Sequence, residues 1–182
     1  MGASLILGGA RSGKSRYAQR MAESAASDGR RPVYVATGEA GDAEMAERIA
    51  THRTERGERW RNLEAPLDLA GALASLRRDD IAVVDCLTLW LSNSMLAEDG
   101  RHEARLRALP AAIAACPARL WLVSNEVGWG VVPDNALARR FRDEAGRLHQ
   151  QLADMVEEVV LVVAGLPLFL KRAPDRAGRG AT

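Results

Sequence analysis

Short apolar runs alternate with helix-like patterns along this chain. Strands are predicted where a run rich in β-branched residues or leucine ends in polar residues or glycine, at residues 4–7, 32–36, 81–85, 120–124 and 159–164. Apolar positions at steps of three and four predict helices between them, at residues 14–26, 42–56, 66–76, 87–96, 102–115 and 135–155. This alternation predicts an α/β fold, a mostly parallel sheet with helices on both faces.

Weaker patterns extend this prediction. Residues 60–64 form a short extended piece, and residues 168–170 add a short edge strand. The longest helix carries an apolar stripe that we assign to the core, namely Leu137, Phe141, Ala145, Leu148, Leu152 and Met155. Without repeats or a second domain, residues 1–172 are interpreted as one domain and residues 173–182 as a flexible, solvated tail.

Composition limits the class of protein. The chain has 182 residues, of which 47% are hydrophobic and 27% charged, with a formal net charge of +1. These values argue against a disordered chain and against a strongly basic nucleic-acid surface, so no nucleic-acid partner is predicted. No apolar run is long enough to span a membrane, and the start lacks a signal-peptide pattern, so we expect a cytoplasmic protein. Cys86 and Cys116 lie in apolar surroundings and are predicted to be buried free thiols.

A glycine-rich stretch between the first strand and the first helix has the spacing Gly, four residues, Gly-Lys-Ser. Its members are Gly8, Gly9, Ala10, Arg11, Ser12, Gly13, Lys14 and Ser15. Such a loop turns backbone N–H groups towards nucleotide phosphates, and the following helix N-terminus adds partial positive charge. Lys14 would reach the outer phosphates, and the Ser15 hydroxyl would bind Mg²⁺. Lys14 and Lys171 are the only two lysines of the chain, which argues against a chance match at the required position.

Other polar residues follow predicted strands. Asp85 ends the apolar strand 81–85, where a carboxylate usually holds the Mg²⁺ of a phosphate loop. Thr37-Gly38 and Asn125-Glu126 also follow strands, and ligands of parallel sheets bind at those carboxyl ends. Residues 125–134 combine two glycines and a proline around Trp129, which indicates a shaped functional loop.

His52 stands four residues from both Arg48 and Arg56 on a predicted helix. Two guanidinium groups beside one imidazole would keep the ring neutral and nucleophilic and would also hold phosphates. Spacing alone favours the alternative, a half-buried histidine of an amphipathic helix. His102 and His149 are predicted to be solvated on helix surfaces.

Several motifs together resemble one family. They are residues 8–16, Val35-Ala36-Thr37-Gly38, residues 44–49 before His52-Arg53, residues 124–133 and residues 137–147. The resemblance is to the bifunctional adenosylcobinamide kinase and adenosylcobinamide-phosphate guanylyltransferase of cobalamin biosynthesis, and it runs from about Leu5 to Gly165. It implies a RecA-like P-loop fold and, from the family's members, a homotrimer.

The resemblance implies two reactions. ATP or GTP phosphorylates the aminopropanol hydroxyl of adenosylcobinamide, and GMP is then transferred from GTP to adenosylcobinamide phosphate through a guanylylated histidine, with release of pyrophosphate. His52 aligns with that nucleophile, and Glu64 and Asp85 would complete the site. Asn125-Glu126 would face the corrinoid or the metal. Nucleotide-binding residues beyond the phosphate loop are implied to be Ala36, Thr37, Gly38, Arg53, Thr54, Glu55, Arg56, Glu64 and Asp85.

The chain departs from the family pattern beside the histidine. Some relatives carry two adjacent histidines where this chain has Thr51-His52, and a lysine and a glycine can occur within the segment 53–56. The departure puts the nucleotide contacts in doubt more than the mechanism. A simple small-molecule kinase that forms no covalent nucleotide, and a nucleotide-dependent switch or assembly protein, remain alternatives. Trp60 and Trp129 are predicted to be exposed, either at a subunit interface or against the corrinoid.

Overall fold

The computed structural model describes residues 2–26, 31–39 and 57–172. The predicted helix 42–56, with His52, Arg53, Thr54, Glu55 and Arg56, lies outside the described residues, and so does the predicted tail 173–182. The described residues hold one seven-stranded sheet in the order β3-β2-β4-β5-β1-β6-β7. The strands are β1 Ala3–Gly8, β2 Val33–Ala36, β3 Arg61–Glu64, β4 Ile81–Asp85, β5 Arg119–Asn125, β6 Glu158–Val163 and β7 Leu166–Lys171.

The pairing of the strands confirms a mostly parallel sheet. Every pair from β3 across to β6 is parallel, and β7 alone runs antiparallel, against β6. The extended piece predicted at 60–64 is β3, and the predicted edge strand 168–170 is the middle of the longer β7. The turn between β6 and β7 takes Ala164 and Gly165 through positive φ, at 51° and 79°. Two residues with positive φ form the tight hairpin turn whose twist matches that of the strands.

Five helices accompany the strands of the described residues, together with a 3-10 turn at Gly57–Arg59. They are α1 Lys14–Ala25, α2 Leu69–Ala74, α3 Leu87–Leu96, α4 His102–Ala115 and α5 Ala136–Met155. The prediction that Pro66 opens a helix was wrong. The helix starts after Asp68, whose carboxylate accepts a hydrogen bond from the Gly71 N–H at 2.9 Å, because this side chain satisfies a first-turn donor that proline cannot.

Helices cover both faces of the sheet. Along β1, Leu5 and Leu7 point into the core under α2 to α5, whereas Ile6 points into the core under α1. Neighbouring strand residues face opposite sides, so a strand covered on both sides reads as a continuous apolar run. The predicted α/β class, a mostly parallel sheet with helices on both faces, is therefore confirmed. Cys86 and Cys116 are buried and free, as predicted.

The apolar stripe of α5 is only partly core. Ala145, Leu148 and Leu152 are buried, but Leu137 and Met155 at the two ends are 50% and 42% exposed. A 20-residue helix is about 30 Å long, whereas a six-residue strand spans about 20 Å. The helix therefore extends past the sheet at both ends, and its terminal apolar residues are not covered.

The strand order places the phosphate loop and Asp85 on either side of one strand. β5 lies between β1 and β4, with Gly8 paired to Asn125 and Asp85 paired to Val123. The carboxyl ends of these three strands thus form one edge of the sheet. Among the described residues, no helix combines the length and apolar character that crossing a membrane requires.

Candidate active site

The phosphate loop curls between β1 and α1 through two residues with positive φ, Arg11 at 56° and Gly13 at 92°. The Ser12 N–H donates to the Gly9 carbonyl at 3.2 Å. Lys14 is only 8% exposed, and its ammonium group donates to the same Gly9 carbonyl at 3.1 Å. The lysine is therefore folded over the loop, where its charge adds to the partial positive charge of the α1 N-terminus.

The end of the sheet packs tightly against this loop. A Cβ on Gly8 would lie 2.4 Å from Ser12 Oγ and 2.6 Å from the Val162 carbonyl oxygen of β6. The Gly165 N–H, in the β6–β7 turn, donates to the Ser12 carbonyl at 2.8 Å. The loop is thus held by a neighbouring strand and by a hairpin turn as well as by its own hydrogen bonds.

Asp85 is held by an aromatic residue of the neighbouring strand. The Tyr34 hydroxyl donates to Asp85 Oδ2 at 2.8 Å. The Tyr34 ring meets Trp60 edge to face, with centroids 6.0 Å apart, and Trp60 Nε1 donates to Glu23 on α1 at 3.1 Å. Trp60 is only 4% exposed, so the prediction of an exposed Trp60 was wrong. Its position just before β3 brings it under α1. There it packs against the Tyr34 ring, whose hydroxyl binds the Asp85 carboxylate.

Thr37 follows β2 and is completely buried. Its hydroxyl donates to the Cys86 carbonyl and accepts from the Cys86 N–H, both at 2.7 Å, across the cis Asp85-Cys86 peptide. Its carbonyl accepts from Asn93 Nδ2 at 2.8 Å, and its N–H donates to the Asp85 carbonyl at 3.2 Å. The side chain predicted to contact the nucleotide is therefore committed to fixing the backbone that carries Asp85.

Glu64 ends β3 beside Ala36, with which it is paired in register. Its side chain is exposed at the carboxyl edge, two strands from Asp85. Gly38 follows the buried Thr37 and is half-buried at the same edge. The structure thus brings these predicted nucleotide contacts to the sheet edge that carries the phosphate loop.

Asn125 is the last residue of β5 and Glu126 follows it, between the two phosphate-site strands. Asn125 Nδ2 donates to Thr88 Oγ1 at 3.1 Å, which ties β5 to the first turn of α3. The Glu126 N–H donates to the Gly8 carbonyl at 2.9 Å, so the loop after β5 starts against the phosphate loop. Glu126 Oε1 accepts from the Gly128 N–H at 2.9 Å, which folds that loop back on itself.

His149 was predicted to be solvated, and this prediction was wrong. The ring is 7% exposed, with Nε2 hydrogen-bonded to the buried Ser124 Oγ at 2.7 Å and Nδ1 3.9 Å from Glu126 Oε2. Burial lowers the pKa of the imidazole, and the Glu126 carboxylate opposes that shift. The neutral ring therefore joins α5 to the end of β5.

His102 was also predicted to be solvated and is instead half-buried at a junction of three helices. Its Nδ1 is hydrogen-bonded to Ser94 of α3 at 3.0 Å, and its Nε2 to Glu144 of α5 at 2.7 Å. Arg140 donates to the other Glu144 oxygen at 2.6 Å, so a cation already pairs with this carboxylate. These hydrogen bonds connect α3, α4 and α5 to one another, and they lie outside the phosphate site.

The family model described as cobinamide kinase / cobinamide phosphate guanyltransferase matches residues 4–170. The chain is 51% identical to the bifunctional adenosylcobalamin biosynthesis protein CobP of Pseudomonas aeruginosa over 172 residues, which cover 93% of this chain and 98% of that protein. It is 39% identical to the bifunctional adenosylcobalamin biosynthesis protein CobU of Escherichia coli, with coverage of 92% and 98%. The chain belongs to this family.

A solved structure from Pyrococcus horikoshii OT3, PH0250, is similar in fold alone. It has a TM-score of 0.51 and 10% sequence identity, and the match covers 96% of this chain and 88% of that one. Family membership and fold thus agree with the site geometry, in which a phosphate loop and a strand-end carboxylate share one sheet edge.

Sequence reasoning found the motifs of this family member but missed the residues that hold them. Tyr34 and His149 belong to none of these motifs, and their partners Asp85, Ser124 and Glu126 are distant from them in sequence. An alternating strand pattern places a tyrosine on one face of β2, but it gives no neighbour on β4. Trp129, predicted to be exposed, is 75% exposed.

Proposed function

We propose that this chain phosphorylates adenosylcobinamide with ATP or GTP and then converts the product to adenosylcobinamide-GDP with GTP. The observation that carries the proposal is the family match over residues 4–170, together with a phosphate loop in which Lys14 is folded over the Gly9 carbonyl. Both reactions begin with a nucleoside triphosphate, for which such a loop is suited. The cytoplasm, where GTP and ATP are abundant, is the proposed compartment.

In the kinase step, the substrate hydroxyl oxygen bonds to the γ-phosphorus while the bond to the bridging oxygen of the nucleoside diphosphate breaks. The hydroxyl proton is released to water. Lys14 and the loop N–H groups stabilise the charge that develops on the phosphoryl oxygens and the leaving group. These are the contributions that the geometry of residues 8–15 supports.

Ser15 and Asp85 are the proposed ligands of Mg²⁺. A hydroxyl and a carboxylate are oxygen donors of the kind that Mg²⁺ prefers, so the donor set fits the ion. Tyr34 occupies one carboxylate oxygen of Asp85, Oδ2, and orients the other. When bound, the ion would supply positive charge between the phosphates.

In the guanylyl transfer step, His52 is the proposed nucleophile. An imidazole nitrogen bonds to the α-phosphorus of GTP, the bond to the β-phosphate oxygen breaks, and pyrophosphate leaves. A phosphate oxygen of adenosylcobinamide phosphate then bonds to the same phosphorus, and the P–N bond breaks with protonation of the ring. The proposal rests on the resemblance around His52 and on its spacing from Arg48 and Arg56. Arg53, Thr54, Glu55, Arg56 and Glu64 remain proposed contacts of the guanine nucleotide.

A homotrimer is proposed from the resemblance, and β7 is the surface that supports it. Leu166, Leu168 and Leu170 alternate along this edge strand and are 72%, 56% and 58% exposed. An exposed apolar edge strand in a single chain is a site of association. Sedimentation equilibrium of wild type and of Leu168→Asp tests it, because the charged variant should shift the mass towards that of one chain.

The deciding experiment incubates the protein with Mg²⁺ and GTP labelled at the α-phosphate, then denatures it and counts protein-bound label. We expect label that is acid-labile, base-stable, absent with γ-labelled GTP and lost in His52→Ala. His102→Gln is the matched histidine control and should retain the label. A wild type that binds GTP but stays unlabelled would remove His52 as nucleophile and leave a plain kinase.

A further inference from the structure

The loop between β5 and α5 presents large apolar side chains to solvent. Trp129 is 75% exposed, Val131 95% and Val132 58%. Scattered single apolar residues on a surface are ordinary, but three within four positions form a patch. The burial of Trp60, Trp90 and Trp121, all below 5% exposed, makes the exposure of Trp129 stand out.

Hydrogen bonds hold this loop in shape at both ends. At its start, the Glu126 carboxylate accepts from the Gly128 N–H at 2.9 Å. At its end, Arg139 Nη1 donates to the Pro133 carbonyl at 2.9 Å and to the Asp134 carbonyl at 2.6 Å. These bonds restrain the backbone on either side of the apolar side chains, so less freedom is lost when the loop binds a partner.

The loop leads directly into an apolar groove between α3 and α5. The groove encloses about 280 Å³, and its lining includes Leu96, Leu137, Phe141 and Asn135. Leu96 and Leu137 are 64% and 50% exposed. Asn135 caps α5 and lies three residues after Val132, a span of at most about 11 Å. We call the combined surface of Trp129, Val131, Val132, Leu96, Leu137 and Phe141 the loop–groove surface.

The loop–groove surface begins at the phosphate site. The Glu126 N–H is bonded to the Gly8 carbonyl of the phosphate loop, and Trp129 is three residues further, again within about 11 Å. A molecule bound against Trp129 therefore lies within reach of the start of the phosphate loop. A hydroxyl group of that molecule, as the acceptor of a phosphoryl group, would then be close to the phosphate loop.

We propose that the loop–groove surface binds the corrin ring of adenosylcobinamide, with Trp129 against the macrocycle. This inference rests on the proposed function, whose substrate is a wide, flat macrocycle edged with methyl groups and amide arms. Such a ring needs an open apolar surface with an aromatic contact, whereas a closed pocket would have to be far larger than this groove. The aminopropanol arm then extends towards residues 8–15.

A second copy of the chain fits this surface less well. It would cover the carboxyl edge of the sheet, across which the substrate hydroxyl must approach the phosphate loop. Strand β7 offers a separate apolar face for association, three strands from β5 and so about 14 Å along the sheet. The two apolar surfaces are therefore assigned to different occupants.

The test measures the KM for adenosylcobinamide in the kinase assay at saturating ATP. We expect Trp129→Ser and Leu137→Ser each to raise it about tenfold, or about 1.4 kcal/mol of binding. Trp129→Phe should stay near wild type because it keeps an aromatic face. Met155→Ser is the matched control for Leu137→Ser: both residues are exposed on α5, but they are about 27 Å apart along the helix. It should leave the KM unchanged.

Two further readouts separate the possible failures. Thermal melting and sedimentation equilibrium check that the variants keep their fold and their mass, and a fall in mass for Trp129→Ser would assign the surface to a second copy and overturn the proposal. An unchanged KM in both Trp129→Ser and Leu137→Ser would overturn it as well. If wild type does not phosphorylate adenosylcobinamide, the proposed function fails. Equilibrium dialysis then measures the binding of adenosylcobinamide by wild type and by Trp129→Ser. Weaker binding by the variant would support the proposed surface, and equal binding would overturn it.

Discussion

The N–H of Gly165, in the turn between the last two strands, donates a 2.8 Å hydrogen bond to the carbonyl of Ser12 in the phosphate loop. The same turn places Gly165 Cα where it would be 3.2 Å from a Cβ on Gly13. The phosphate loop is therefore built against a hairpin that comes more than 150 residues later in the chain. Its shape depends on both elements.

Gly13→Ala should strain this contact. Gly13 has a φ of +92°, and an alanine there would meet Gly165 Cα at 3.2 Å. We expect the free energy of unfolding to fall by about 1–2 kcal/mol, the cost of a left-handed backbone for a residue with a Cβ. Urea unfolding without nucleotide measures it. Gly9→Ala is the matched control, since a Cβ there has no neighbour within 4 Å, and equal stability of the two variants would contradict the prediction.

Thr37→Val should destabilise the protein without changing the volume of the side chain much. The substitution leaves the Cys86 N–H and carbonyl without the hydroxyl that now serves both at 2.7 Å. The Cys86 carbonyl still accepts from the Trp90 N–H at 3.1 Å, so the buried Cys86 N–H alone loses its partner, and a loss of about 1–3 kcal/mol is expected. Thr37→Ser keeps the hydroxyl and should lose much less. Chemical denaturation of the three proteins would reject the prediction if valine were as stable as threonine.

His149 should make stability depend on pH. Burial lowers its pKa below the ordinary 6.5, so the unfolded chain binds a proton at a higher pH than the folded one. Its contribution to stability is thus complete above about pH 6.5 and is lost as the pH falls through that value towards the folded pKa. The free energy of unfolding, measured from pH 7.5 to pH 5, should fall less steeply in His149→Gln. Parallel curves for the two proteins would refute this.

Tyr34→Phe should weaken the use of Mg²⁺ more than it weakens the fold. The variant loses the 2.8 Å bond to Asp85 Oδ2 but keeps the ring that packs on Trp60. Residues that orient a metal ligand usually change metal affinity 10–100-fold when removed. We expect about tenfold more Mg²⁺ for half-maximal kinase activity, with the rate at saturating Mg²⁺ largely kept. An unchanged Mg²⁺ titration would show that Asp85 does not need this support.

Local signals predicted most of the elements and the motifs of the site. The strand 81–85 has the bounds of β4, and α3 and α4 match their predicted limits. These segments succeed because a short apolar run predicts a buried parallel strand, and longer stretches without glycine predict helices. The phosphate loop could be predicted because phosphate binding requires glycines and a lysine at fixed positions along the chain.

The failures concern residues whose environment comes from distant parts of the chain. His149 has charged and polar neighbours in sequence, yet its ring is buried because it packs against Ser124, the residue before the last of β5. Trp60 stands beside arginines at 59 and 61, yet it lies under α1 and reaches Glu23. Pro66 suggested a helix start, whereas Asp68 provided the capping carboxylate. Tertiary contacts decide such cases, and no local pattern contains them.

The position of β1 has a consequence for synthesis of the chain. This first strand has only β5 and β6 as its neighbours, which are made more than 110 residues later. As the polypeptide leaves the ribosome, residues 3–8 therefore wait unpaired until most of the protein has emerged. Contacts of such long sequence separation slow folding and leave an apolar segment open to aggregation or chaperone binding. The strand that leads into the phosphate loop is therefore paired only after β5 and β6 have been made.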